Sequence, residues 1–142
     1  MKRTASVLFV FISILLLAGC QQTGFTIKDA WARPAAQGEN SAVYFLIDNT
    51  KAQADTLLSA SVDVAEAAEL HQSVLKSDGT TEMQKQDSVA IPADSIVEFS
   101  PGGYHVMLVN LPKALNVGDT FTLTLNFQNA GEKQITVPVK EP

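Results

Sequence analysis

The sequence predicts an all-β domain built as an antiparallel sandwich or barrel, and three observations carry that prediction. From Thr120 to Phe127, the apolar residues Phe121, Leu123, Leu125 and Phe127 alternate with Thr120, Thr122, Thr124 and Asn126, the period of a sheet with one buried face. Most of the chain after residue 25 divides into short apolar-rich segments separated by turn residues, which is the spacing of sandwiches and barrels. Only Ala65 to Leu70 has composition that favours helix, so any helix is limited to a turn or two.

The elements follow in order. Lys2 and Arg3, an uncharged apolar run from Val7 to Leu17, and Leu17-Ala18-Gly19-Cys20 form a secretory leader whose apolar run is too short for a comfortable membrane span. Residues 1–19 are expected to be a lipoprotein signal peptide, since Leu-Ala-Gly-Cys resembles the lipobox in which the peptidase cuts before a lipid-bearing cysteine. The alternative is an ordinary leader cut nearby, which would leave Cys20 as a lone exported thiol with no disulfide partner. Lipidation of Cys20 therefore predicts membrane anchoring, stable if two or more acyl chains are carried. Residues 20–25 are the lipidated cysteine and a short polar tether, and residues 26–142 a single domain of ordinary size.

Candidate strands are Thr26 to Ala32, Ser41 to Ile47, Thr56 to Val62, Glu69 to Leu75, Thr81 to Gln86, Ile96 to Ser100 and Tyr104 to Leu111. Asp48-Asn49, Asp78-Gly79, Pro101-Gly102-Gly103 and Gly118-Asp119 are the turn signals between them. Thr120 to Phe127 and the stretch holding Ile135, Val137 and Val139 form a hairpin around Asn129-Ala130-Gly131. Pro138 fits an edge strand or a bulge. Removal of Lys2 and Arg3 with the leader takes the formal charge from −5 to −7. This balance, with no basic cluster, argues against nucleic-acid partners and charge-driven lipid binding.

The chemistry lies in a few side chains. After the initiator the chain has two histidines, His71 and His105, and two methionines, Met83 and Met107. His105 and Met107 are two apart on one strand and so share a face. A two-residue turn at Asp78-Gly79 would put His71 and Met83 on opposite faces, whereas a loop with an odd number of residues, such as the five of Ser77 to Thr81, or a bulge would put them together. That irregularity is predicted here. Taken singly, a methionine is more often core filler and a histidine more often a hydrogen-bonded structural residue. All four within a 37-residue stretch are a donor set suited to Cu(I), since zinc sites favour thiolate, imidazole and carboxylate and calcium or magnesium sites favour oxygen. Four uncharged donors favour exchange over permanent capture.

His71-Gln72, ten residues, Met83, twenty-one residues and His105-Val106-Met107 resemble the signature of the periplasmic copper chaperones known as PCuAC. So do Asp29-Ala30-Trp31-Ala32-Arg33-Pro34, Ser41-Ala42-Val43-Tyr44-Phe45 with Asn49, Glu69-Leu70-His71 and Pro101-Gly102-Gly103-Tyr104-His105-Val106-Met107-Leu108. The resemblance covers nearly all of the domain and implies a cupredoxin-like antiparallel β-sandwich or Greek-key barrel. It implies Cu(I) held by His71, Met83, His105 and Met107, delivered for assembly of the copper site of cytochrome c oxidase. The recipient would be subunit II of the oxidase or a thiol-bearing assembly factor. Gln72 stands where many members have methionine, and no His- and Met-rich tail follows within the sequence, which puts in doubt a second, Cu(II) site. Tyr104 is expected in the core, and Trp31 in the core or at the rim.

Competing functions divide on the same residues. A blue-copper electron carrier needs a cysteine thiolate, and the domain has none. A copper enzyme needs an open coordination position, for which four protein donors leave little room, so the chain is expected not to be an enzyme. Copper buffering needs the same site as delivery. A protein-binding β-sandwich lipoprotein, with the four residues merely structural, is the alternative without metal.

Overall fold

The computed structural model describes residues 24–50 and 52–142. The leader, Cys20 and most of the tether lie outside the described residues. Those described form ten strands and no helix: β1 (Thr26–Ala32), β2 (Ser41–Asn49), β3 (Asp55–Ser61), β4 (Ala67–Leu75), β5 (Thr81–Lys85), β6 (Val89–Ile91), β7 (Ser95–Phe99), β8 (Tyr104–Val109), β9 (Thr120–Phe127) and β10 (Gly131–Pro138).

Two sheets divide the strands. The larger has the order β1-β2-β7-β8-β4-β5, with β8 also paired to β2, and the smaller the order β10-β9-β3-β6. The arrangement is a cupredoxin-like β-sandwich whose core is supplied by period-two alternation in both sheets. Val43, Phe45, Ile47, Leu70, Val106 and Leu108 of the larger sheet are buried, as are Leu57, Val89, Ile91, Phe121, Leu123, Leu125, Phe127 and Val137 of the smaller. Each such side chain contributes about 1.5–3 kcal/mol. Because β4 and β8 give their even-numbered apolar residues to this core, their odd-numbered residues must project from the other face. That face carries His71, His105 and Met107.

Several expectations need adjustment. Ala65 to Leu70 does not begin a helix: Ala67 to Gln72 pair with β8, and Ala68 and Leu70 pack on the core. Ladder pairing and burial override an alanine-rich helical preference. Asp48-Asn49 is the end of β2 rather than a turn. The turn starts at Thr50, whose N–H and hydroxyl donate to Asp48 Oδ1, while buried Asn49 donates to the carbonyls of Gln53 and Pro92. Val89–Ile91, too short to register as a period, is a strand paired with β3. The β9–β10 loop sits one residue earlier than expected, since Gly131 pairs with Phe127. Pro138 ends β10, an edge strand.

Candidate metal centre

β4 and β5 pair with Leu75 opposite Thr81, Ser73 opposite Met83 and His71 opposite Lys85. The loop between them is Lys76 to Thr80, closed by Lys76 N–H donating to the Thr80 carbonyl at 2.8 Å and Gly79 N–H to the Lys76 carbonyl at 3.0 Å. It has the expected odd number of residues but starts one residue earlier than Ser77. Gly79, at φ 84°, supplies the left-handed residue that lets so short a loop return in register. Met83 and Ser73 therefore share a face with His71.

On the other side of β4, His71 lies directly opposite His105 of β8, and Glu69 opposite Met107. All four sequence-predicted donors thus project from one face of three adjacent strands, β8, β4 and β5. The imidazole centroids are 5.8 Å apart at 44°. A metal–nitrogen bond of about 2 Å places an ion about 3 Å from a ring centre, so one ion can bridge rings at this separation. Gln72, adjacent to His71 on a regular strand, projects from the opposite face. Among the described residues no three His, Cys, Asp or Glu side chains are grouped to hold a metal; the sulfur-bearing residues on this face are Met83 and Met107.

The turn before β8 sets His105. Gly103 N–H donates to the Ser100 carbonyl at 2.9 Å, with Pro101 and Gly102 between and Gly102 at φ 86°, the proline and glycine placement of a type II turn. The Gly103 carbonyl then accepts from Ser73 N–H at 3.0 Å and from His105 Nδ1 at 3.2 Å. A carbonyl only accepts, so His105 carries its proton on Nδ1 and offers the lone pair of Nε2. His105 is 4% exposed. Burial above all, with the nearby Arg33 charge adding to it, holds its pKa below the usual 6.5, outweighing the Gly103 hydrogen bond, so the imidazole is neutral at pH 7.

His71 has the opposite arrangement. Its Nε2 lies 2.9 Å from Glu69 Oε2, and Glu69 Oε1 accepts from Lys85 Nζ at 2.6 Å. Lys85, then His71, holds the Glu69 carboxyl below the usual carboxylate range. An ionised carboxylate only accepts, so the His71 proton is on Nε2. That leaves Nδ1 buried with no hydrogen-bond partner, a bare acceptor whose isolation costs about 1–3 kcal/mol unless something electron-poor meets it. The donor chemistry and this orphaned nitrogen both fit a soft cation.

The rim is aromatic. In β1 the register slips between Lys28 and Trp31, and Asp29 within the slip has φ 55°. This bulge places Trp31 opposite Tyr44 rather than Val43, turning the indole onto the outer face. The Trp31 and Tyr44 rings are 4.8 Å apart, and Tyr44 lies 6.4 Å from His105. Arg33 lies over Tyr44 and Lys140 over Trp31, each at 5.7 Å. Tyr104 lies in the expected direction, packing against the core beside Phe99. From the sequence, Glu69 and Tyr44 are named only within motifs, without a role, and Lys85 is not named. Glu69 could have been read from its i−2 relation to His71, and Lys85 from the loop parity.

The family model described as "Putative lipoprotein LpqE-like" matches residues 25–139. "Putative lipoprotein Lxx21020" of Leifsonia xyli is 30% identical over 123 residues, covering 87% of this chain and 74% of that protein. "Uncharacterized protein RP573" of Rickettsia prowazekii is 36% identical over 114 residues, covering 77% of this chain and 62% of that protein. Among solved structures, the apo PCuAC domain from PmoF1 superposes with a TM-score of 0.70 at 28% identity, covering 83% of this chain and 94% of that one. The copper-bound PCuAC domain from PmoF2 gives 0.68 at 28%, covering 83% and 93%. The Cu(I) form of DR1885 from Deinococcus radiodurans gives 0.62 at 26%, covering 87% and 83%.

Proposed function

Because the chain belongs to the LpqE-like family and has a PCuAC-type domain, we propose that it is an extracytoplasmic copper chaperone, tethered through lipid on Cys20, that carries one Cu(I) between His71, Met83, His105 and Met107. The observation that carries this reading is the pair of directly opposed imidazoles, one neutral by burial and the other with an unpartnered Nδ1, on a face shared with both methionines. Copper here is cargo, not a resident cofactor. The copper-bound PmoF2 domain and the Cu(I) form of DR1885 support the choice of ion.

The chain's residues bind and present the ion; none is assigned a catalytic step. Four uncharged donors leave the ion its single positive charge, and imidazole with thioether suits Cu(I). Exposure of Met83, at 62%, favours delivery over storage, because an incoming ligand can displace an exposed donor. The recipient that fits the family resemblance is a thiol-bearing assembly factor or subunit II of cytochrome c oxidase. Lipoprotein naming of the Leifsonia relative supports the lipid anchor, with residues 1–19 as the leader and 20–25 as the tether.

The test is an anaerobic Cu(I) titration of residues 21–142 against a chromogenic chelator, repeated with His71→Ala, Met83→Ala, His105→Ala and Met107→Ala. One equivalent bound, weakened by each substitution in a folded protein, supports the reading. Binding indifferent to all four substitutions, or no binding at competitive chelator strength, refutes it and leaves a protein-binding β-sandwich.

A further inference from the structure

Resting on the copper reading above, we infer that Glu69 is a positioning residue for the cargo ion, holding His71 with its proton on Nε2 and Nδ1 toward the copper, while Lys85 fixes Glu69.

Three features converge on this assignment. Both carboxylate oxygens are already engaged, Oε2 with His71 Nε2 at 2.9 Å and Oε1 with Lys85 Nζ at 2.6 Å. Glu69 therefore orients the ring rather than competing for the ion. The other ring nitrogen, Nδ1, is buried and has no partner, so the proton acceptor on one side leaves a lone pair on the other. Finally, the sheet fixes the geometry. Glu69 and His71 are two apart on β4, and Lys85 is the cross-strand partner of His71 on β5, so the three side chains form a row on one face. A carboxylate behind a metal-binding imidazole fixes its tautomer and raises its basicity, and loss of such a partner costs about 10–100-fold in metal affinity.

The arrangement also makes the two histidines unequal. The Gly103 carbonyl selects Nδ1–H on His105, and the Glu69 carboxylate selects Nε2–H on His71. The ion is then met by Nε2 from β8 and Nδ1 from β4. One orienting group is backbone and cannot be removed by substitution; the other is a side chain and can.

The experiment uses residues 21–142, the same protein as the copper titration, which include the hydrophobic core formed by the described residues. Long-range ¹⁵N–¹H correlation spectra of the copper-free protein should show His71 protonated at Nε2 and His105 at Nδ1. Glu69→Ala should abolish the His71 preference and weaken Cu(I) binding by about 10–100-fold. Glu69→Gln, whose amide oxygen still accepts, should recover part of that loss. In a His71→Ala background, Glu69→Ala should have no further effect, because its influence passes through that ring. Unchanged affinity in Glu69→Ala, an equal loss in the His71→Ala background, or a copper-free His71 protonated at Nδ1 would overturn the assignment while leaving the copper reading intact. A parent protein that binds no Cu(I) would overturn both.

Discussion

Replacing Gly102 with alanine isolates the turn that delivers His105 to its position. Gly102 is at φ 86°, where a side chain with a Cβ costs about 1–2 kcal/mol. A Cβ built there meets nothing within 4 Å, so the penalty contains no packing term and is wholly conformational. For a domain of this size it lowers the thermal midpoint by roughly 3–10 °C. Neighbouring Gly103 provides the control: its φ is not positive, and an added Cβ would lie 3.6 Å from Ser100 O and Oγ, an ordinary contact. The order of stabilities in urea denaturation should be Gly103→Ala near the parent, Gly102→Asn intermediate because asparagine tolerates the left-handed region, and Gly102→Ala lowest. The Gly103 carbonyl receives both Ser73 N–H and His105 Nδ1–H, so Gly102→Ala should also weaken Cu(I) binding. Equal costs for Gly102→Ala and Gly103→Ala would refute the reasoning, because it depends on the backbone conformation of residue 102 alone.

Other substitutions test other parts of the same structure. Met83→Ala should change stability by less than about 0.5 kcal/mol, since the side chain is exposed, yet weaken Cu(I) binding at least about tenfold; chelator competition beside denaturation separates the two. Asp55 accepts from the N–H groups of Thr56, Asn129 and Ala130 at 2.7, 2.9 and 2.9 Å, so Asp55→Ala should cost about 2–4 kcal/mol in denaturation, given that hydrogen bonds to a carboxylate are the stronger kind. In the copper-free protein, NMR titration should find His105 protonating below 6.5. The unfolded chain then binds more protons between the folded value and 6.5, so this residue's contribution to stability is full above 6.5 and declines as pH falls through that window. His105→Gln should remove this component of the pH dependence, and titration at or above 6.5 would contradict the assignment.

The legibility of this fold followed one-sided burial. Thr120–Phe127 was readable to the residue because β9 alternates between Phe or Leu in the core and Thr or Asn outside. The helical preference of Ala65 to Leu70 is not expressed, because alanine packs as readily on a strand as on a helix, and the deciding partner, β8, lies about forty residues along the chain. β6 has only Val89 and Ile91 facing inward, too few positions to define a period. For the site, loop parity was enough to bring His71 and Met83 to one face. The bulge at Asp29 was not legible, since one inserted residue leaves composition unchanged while moving Trp31 to the other side of its strand. Glu69 and Lys85 show no role in the sequence, because charged residues on a strand ordinarily face solvent. What distinguishes them is their registration against one imidazole.

The same registration divides the proposed copper shell into two parts of unequal mobility. β8 pairs with β2, β7 and β4, and its inner face packs Val106 and Leu108 into the core. His105 therefore cannot move without disturbing the sandwich. Among the described residues β5 pairs with β4 alone, at the edge of the sheet, and all five of its residues are exposed. Edge segments with few buried contacts open locally at far lower free energy than core strands. Met83 rides on that edge, so its sulfur can leave while both imidazoles stay in place. An incoming thiol or thioether would then enter where Met83 departs, and the ion would keep two nitrogen donors until the exchange is complete. A buffer gains nothing from one donor placed on the least anchored strand of the sheet, whereas a carrier must have some donor that yields first.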